Sequence, residues 1–369
     1  MTNSPTAELQ NLGVSIWLDD LSKDRLTSGS LAELMNTHHV VGVTSNPTIF
    51  AGSVAGSASY ATDIAKLKAQ GLSAEQAVFS IMVSDVQGAC DLLHAEFERS
   101  GGLDGRVSLE VSPELAHDTQ GTIAQAVDLW KQVDRANLMI KIPATKAGLP
   151  AITDVIAQGI SVNVTLIFSL ERYAEVQDAY FAGISGAVSA GVDISTIYSV
   201  ASFFVSRVDT AIDPLLQAIG TDQALAMRSL AAVANARLAY ELFTQRHSSA
   251  KASELTTQGM NPQRPLWAST GVKDPSLPAT YYVVELATEH TVNTMPEKTL
   301  LATESDGGVN GDRVQGFFDS ARETMAGLEA VGISITEVTE ALETEGVAKF
   351  ITSWQELLTT VSEAMDNSV

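Results

Sequence analysis

The chain has 369 residues, 45% of them hydrophobic and 18% charged, with a formal net charge of −22. That balance excludes an intrinsically disordered chain and disfavours a nucleic-acid partner, which would need basic patches. The single cysteine, Cys90, excludes an internal disulfide framework and a cysteine-based metal centre. The N-terminal MTNSPTAELQNLG has no charged segment followed by an apolar core, so no signal peptide is expected. No apolar run of about 18 residues offers a membrane span, and the expected compartment is the cytoplasm.

Short, β-branched apolar runs recur along the chain with helical segments between them. SIWLDD (15–20) is the first and VVGVTSNP (40–47) the second. Residues 51–73, with AGSVAGSAS, read as a Gly/Ser-rich loop; no Gly-Lys-Ser/Thr follows, so it is not a P-loop. Helical spacing runs from Ala74 to Glu98, with Ser73 as its N-cap. RVSLEV (106–111), a helix over 120–133, LMIKIPAT (138–145), ISVNVTLIFS (160–169) and TIYSVASFFVS (196–206) follow. Next come a helix over 222–244 capped by Asp222, then RPLWAST (264–270), a short helix at YYVVELA (281–287) and HTVNTMP (290–296). ESDGGVNGD (304–312) reads as a turn, because it lacks the spacing of a calcium loop. The tail, 333–369, reads as a polar linker and one amphipathic helix around Trp354, Leu357 and Leu358.

Eight strand-like runs alternating with helices predict a (β/α)₈ TIM barrel, as one domain over 1–369 with extra helical material around 51–105 and at the C-terminus. The alternative is a doubly wound sheet, weakened by the absence of GxGxxG after the first strand.

In a barrel, chemistry collects at the C-terminal ends of the strands. Most of the runs carry a reactive side chain there. Asp19 closes IWLD, Thr44 and Asn46 close GVTSN, and Glu110 sits near the end of VSLEV. Asn163 and Thr165 are two apart and so share a face of their strand. Ser202 and Arg207 flank FFVS, Ser269 ends LWAS, and Lys273 follows in the loop. Singly, each has a plain structural explanation; Asn46 before Pro47, for example, suits a turn. Lys141 is different. It lies inside LMIKIP, where an ammonium is costly unless it is paired or gives up its proton. Either it forms a structural ion pair, for which Glu110 is the candidate, or the site wants a neutral amine.

A neutral lysine attacks a ketone to form a Schiff base, and the iminium is an electron sink that lets an adjacent carbon–carbon bond break. That chemistry needs no metal, and the sequence has no HExxH, CxxC or EF-hand spacing; the six histidines show no ligand spacing. No cofactor is expected. Acid–base groups are needed to dehydrate the carbinolamine and move hydroxyl protons. Glu110 and Asp19 are the carboxylates so placed, with Thr165 available to hold a water. Arg207, Ser269 and Lys273 are candidates for a phosphate at the barrel mouth.

At these residues the chain resembles transaldolase. GVTSNPTIF, LMIKIPAT, VNVTLIFS, VSLEV, IWLDD and ASFFVSRVD all resemble family motifs, and together they cover nearly the whole barrel. The resemblance implies a barrel related to other class I aldolases by circular permutation. It implies transfer of a dihydroxyacetone unit from sedoheptulose 7-phosphate to glyceraldehyde 3-phosphate, giving erythrose 4-phosphate and fructose 6-phosphate, in the pentose phosphate pathway. Sugar phosphates are then the partners. Lys141 becomes the nucleophile, Asp19 the acceptor of the C4 hydroxyl proton, and Glu110 with Thr165 the proton relay. Asn46 and Asn163 become ligands of the dihydroxyacetone hydroxyls with Ser202 beside them, and Thr44, Phe204 and Arg207 join the substrate-binding residues. One departure is that Ser269-Thr270-Gly271-Val272-Lys273 carries a lysine where the familiar branch has an arginine. Two alternatives stay open: a fructose 6-phosphate aldolase, which generally carries glutamine at the position of Glu110 and tyrosine at that of Phe204, and a non-catalytic sugar-phosphate binder with a structural Lys141–Glu110 pair. A pyridoxal-phosphate enzyme, also built on a lysine imine, is not expected. The sequence carries no signature of oligomeric state.

Overall fold

The computed structural model describes residues 4–367; the first three residues of the N-terminal stretch and the last two of the tail lie outside it. Eight strands form the barrel: β1 (Val14–Asp19), β2 (Val40–Thr44), β3 (Arg106–Glu110), β4 (Leu138–Pro143), β5 (Val162–Ile167), β6 (Ser199–Phe204), β7 (Gln263–Ala268) and β8 (Thr291–Met295). They pair in sequence order, all parallel, and β8 closes onto β1. Closure removes the two free edges that a doubly wound sheet would keep, so the open-sheet alternative is excluded.

The strands are buried along their length, which is why they read as apolar runs without clean alternation. Alternation survives in chemistry. Ser15, Trp17 and Asp19 share one face of β1, and the register sets Trp17 beside Gly42 and Asp19 beside Thr44. Gly42 has a steric reason to be glycine. A Cβ there would lie 2.5 Å from the indole nitrogen of Trp17, which is fully buried.

The helix Ala74–Arg99 begins where the sequence places it, with Ser73 and Gln76 forming a reciprocal capping box. The short helix at 281–285 is also present. Three expectations are corrected. Residues 51–73 are mostly helical rather than a loop, in Pro47–Gly56 and Ala61–Ala69. Phe50, Val54, Tyr60 and Ile64 are buried there, and their burial overrides the weak helix propensity of the glycines and serines. Second, 222–244 is not one helix. A four-residue turn of helix, Asp222–Leu225, is capped by Thr221 rather than Asp222, and the long helix starts only at Ala231. Between them Ser229 adopts a left-handed φ of 62°, held by Asp213, which accepts from its N–H at 2.8 Å and its hydroxyl at 3.0 Å.

Third, the tail has no polar linker beyond residue 335. It is one helix of 33 residues, Ile335–Asn367. Leu342, Gly346, Phe350, Trp354, Leu357 and Val361 form its buried stripe at helical spacing. The stripe packs against helices Pro47–Gly56 and Ala74–Arg99. The extra segments thus lie together, and they cover one side of the C-terminal end of the barrel.

Candidate active site

Strand register assembles the centre. Glu110 on β3 pairs with Lys141 on β4, and Lys141 pairs with Asn163 on β5, so three neighbouring strands present them side by side on the inner face. Lys141 and Glu110 are both almost fully buried, and the Lys141 Nζ lies 3.1 Å from Glu110 Oε2. The contact is a buried ion pair, and it opposes the effect of burial on Glu110. Lys141 Nζ also donates to the backbone carbonyl of Ser45, at 3.1 Å. It also faces the ring of Phe350, 5.7 Å from the centroid, within the range of a cation–π contact.

Around this lysine lies a cavity of about 180 Å³ at the C-terminal ends of the strands. Asp19, Thr44, Asn46, Lys141, Thr165, Ser202, Phe204, Arg207, Ser269 and Lys273 all line it. Glu110 and Asn163 do not; they lie just beneath, behind Lys141 and Ser202. Every site residue singled out in the sequence is therefore at one place. A larger cavity, of about 910 Å³, opens at the opposite end among Val14, Val40 and Arg264, where strands begin, and none of these residues reaches it.

Several of the polar side chains have an identifiable support. Asp19 Oδ1 accepts from the Thr44 hydroxyl at 2.7 Å, and Thr44 is 2.6 Å from Thr294. Asn46 is the N-cap of Pro47–Gly56: its Oδ1 accepts from the Ile49 N–H at 3.0 Å, which fixes the side chain and leaves its amide group at the cavity wall. Asn163 Oδ1 accepts from Ser202 at 2.7 Å while its Nδ2 donates to Ser108 at 3.0 Å. Two oxygens are left over. Glu110 Oε1 and Thr165 Oγ1 are buried with no hydrogen-bond partner among the described residues. Buried polar atoms of this kind call for a bound water or a ligand group.

The electrostatics divide by depth. Burial pushes the Asp19 and Glu110 carboxyls above the ordinary carboxylate range, outweighing the opposing attraction of Lys141. A proton on either carboxyl is thereby made less costly, which suits groups that accept and return protons. At the mouth stand Arg207, whose guanidinium lies 5.1 Å from the Phe204 ring, and exposed Lys273. Neither has an ion-pair partner within bonding reach among the described residues. Burial lowers the Arg207 pKa, with Asp19 and Glu345 opposing. In a chain of net charge −22, two unpaired cations over the mouth make a local site for an anion. Ser269 adds its hydroxyl from a left-handed φ of 56°, braced at 3.0 Å by Ser206. Among the described residues no cluster of His, Cys, Asp and Glu could hold a metal ion, and no helix is long and apolar enough to cross a membrane.

Sequence reasoning missed four contributors. Thr294 is the last but one residue of β8, opposite Thr44 at the end of β2, and the strand-end rule applied to HTVNTMP would have found it. Ser45 acts through its backbone and Ser108 from below the site, positions with no local sequence signal. Phe350 arrives from the C-terminal helix, 209 residues after Lys141 in sequence (350 less 141).

A closed eight-stranded parallel barrel with a buried lysine among carboxylates, amides and hydroxyls at the strand C-termini is the architecture of a class I, lysine-centred aldolase. The family comparison narrows that class. The model of the transaldolase/fructose-6-phosphate aldolase family matches residues 16–361, and the chain belongs to that family. It is 55% identical to the transaldolase of Thermobifida fusca, covering 98% of both chains. It is 54% identical to that of Mycolicibacterium smegmatis, over 99% of this chain and 98% of the relative, and 54% identical to transaldolase 1 of Streptomyces coelicolor, over 97% and 94%.

Proposed function

We propose that the protein is a transaldolase that moves a dihydroxyacetone unit between sugar phosphates, with Lys141 as the Schiff-base residue. The observation that carries this is the position of Lys141. It is buried, faces a cavity on one side and touches Glu110 on the other. A purely structural ion pair has no need of an open side or of a second raised carboxyl, Asp19, on the same cavity.

Lys141 passes its proton to Glu110, 3.1 Å away, and the freed amine attacks the donor ketone at C2. Glu110, relayed by a water held with Thr165, moves the protons needed to lose the carbinolamine oxygen as water; the two orphaned oxygens support that pairing. Asp19 takes the C4 hydroxyl proton, the C3–C4 bond breaks, and its electrons pass into the iminium to leave an enamine on Lys141. The first aldehyde departs with the phosphate. The enamine attacks the second aldehyde, Asp19 returns the proton, and water releases the product. Asn46, Ser202 and Thr44 hold the hydroxyls of the three-carbon unit, Asn163 backs them from beneath through Ser202, and Phe204 walls it. Arg207, Ser269 and Lys273 take the phosphate at the mouth, where the unpaired cations lie. The reaction places the enzyme in the non-oxidative pentose phosphate pathway.

The test is borohydride reduction with fructose 6-phosphate, followed by peptide mass spectrometry and a transfer assay with erythrose 4-phosphate. An adduct on Lys141 together with acceptor-dependent turnover supports the proposal. No adduct under saturating sugar leaves only the binding-protein reading, and rapid release of dihydroxyacetone without acceptor leaves the aldolase reading.

A further inference from the structure

The long C-terminal helix holds a residue whose place the chemistry above does not use. Phe350 is 4% exposed, and its ring stands over Lys141 Nζ as part of the cavity wall. One turn earlier on the same stripe is Gly346, buried against β5 and the segment after it. A Cβ at Gly346 would lie 3.1 Å from Leu166 Cδ2, 3.5 Å from Phe168 and 3.7 Å from the Arg207 guanidinium. The missing side chain lets the helix lie down on the barrel at that point, which brings the ring four residues on to the lysine. Leu166 offers an unusual surface to be lain on. It has a left-handed φ of 60°, and the pairing of β5 with β6 slips just there, between Val164 and Ile167. The helix is pinned further along by Ser353, which accepts from the Thr48 hydroxyl at 2.8 Å, and earlier by the Arg172–Glu343 ion pair at 3.2 Å.

We propose that Phe350 is a specificity-determining residue: its ring covers the enamine carried by Lys141 and so favours transfer to an aldehyde over loss to water. The inference rests on the transaldolase reading of the same site. The competing loss is explicit. A solvent proton adds to C3 of the enamine to regenerate the iminium, then water adds at C2 and the C–N bond breaks, giving free dihydroxyacetone and the Lys141 amine. Hydrolysis at C2 is shared with product release, so the step that separates loss from transfer is protonation at C3, which draws on bulk water reaching the three-carbon unit. An apolar ring against the nitrogen denies water that approach while leaving the mouth, where the acceptor enters between Phe204, Arg207 and Lys273, open.

The experiment compares the full-length wild type with Phe350→Leu, Phe350→Val and Phe350→Ala. For each, release of free dihydroxyacetone from fructose 6-phosphate alone is divided by the transfer rate with erythrose 4-phosphate added. The ratio rises with the volume removed, by roughly tenfold in Phe350→Ala, and Phe350→Leu stays near wild type because it keeps an apolar cover. If the alanine variant does not fold, the valine and leucine variants carry the same ordering. Gly346→Val, outside the cavity wall, raises the ratio as well by lifting the helix. Loosening of the fold alone would lower both rates together, and an unchanged ratio across the series overturns the proposal. Borohydride trapping on each protein separates the two claims. An adduct at Lys141 with a flat ratio sinks only the role of Phe350; no adduct in the wild type sinks the Schiff-base reading beneath it.

Discussion

Replacing Asp19 with asparagine is expected to move activity and stability in opposite directions. The substitution keeps size and shape, and an amide oxygen still accepts from Thr44, now 2.7 Å from Asp19 Oδ1. What it removes is a charge that burial disfavours more than Lys141 and Arg207 favour it, since the Asp19 pKa lies above its ordinary value of 3.8. Each unit of such a shift corresponds to about 1.4 kcal/mol of lost stability once the group ionises in the fold. The sign follows from proton binding. Between the unfolded and folded pKa values the native state holds more protons, so stability falls as pH rises through that window. The two cations keep other neighbours, Glu110 for Lys141 and Glu345 for Arg207. Asp19→Asn is therefore more stable than wild type at pH 7 to 8, and the gap closes as pH falls below the ordinary value of 3.8, where the wild-type carboxyl is protonated in both its folded and unfolded states. Turnover falls by about 10²- to 10⁴-fold, the usual worth of a positioned general base, while borohydride still traps sugar on Lys141. The measurements are urea unfolding midpoints at several pH values, steady-state transfer rates and trapping. A variant less stable than wild type at pH 7 would refute the claim that desolvation dominates at this site. Near-normal turnover would remove Asp19 from the chemistry.

Lys141→Arg keeps the charge beside Glu110 but presents no neutral amine, so transfer and borohydride adduct both disappear; activity near wild type would rule Lys141 out. Arg207→Leu and Lys273→Met raise KM for phosphorylated substrates more than they lower kcat, by roughly 10-fold or more for the half-buried arginine and less for the exposed lysine, whose charge salt screens. Substrate titrations at two ionic strengths check this, and unchanged KM values would move the phosphate elsewhere. Gly42→Ala forces a methyl to within 2.5 Å of a fully buried indole and destabilises by about 1 to 3 kcal/mol, read from the denaturation midpoint; a neutral result would mean that Trp17 has room to move.

The barrel and its centre were legible because the residues that betray them are local. A strand announces itself in five or six residues, and a charge inside one, as at Lys141, is conspicuous without knowledge of its neighbours. Register then does the rest: Glu110, Lys141 and Asn163 meet because adjacent parallel strands align. What the sequence hid is what depends on packing between distant segments. The glycines and serines of 51–60 read as a loop until Phe50, Val54 and Tyr60 find burial against the rest of the fold. The first two turns of Ile335–Asn367 look polar because little beyond Thr339 and Leu342 faces inward there. Phe350 is an ordinary stripe residue of an amphipathic helix, and nothing within its own helix distinguishes it from Leu357.

The two ends of the barrel handle buried charge differently, and the difference bears on how the site keeps its reactivity. At the strand N-termini, Asp104 accepts from Arg264 at 3.1 Å with one oxygen and from Ser15 at 3.0 Å with the other; Arg264 donates again to Ser15 and to the Leu103 carbonyl. Beside it Arg106, with one orphaned nitrogen, is faced by the rings of Phe97 and Tyr198 at 4.8 and 4.3 Å. Those groups are held by partners or faces and have little left to offer a ligand. At the other end Glu110 keeps an oxygen free, Thr165 keeps a hydroxyl free, and Ser269 and Leu166 hold left-handed backbone. Such orphaned atoms and strained residues each cost of order 1 to 3 kcal/mol. They persist because the surrounding barrel fixes them from eight strands at once. The same hydrogen-bonding capacity is what a ketone, its hydroxyls and one water satisfy, so these groups turn into binding and orienting energy when substrate enters.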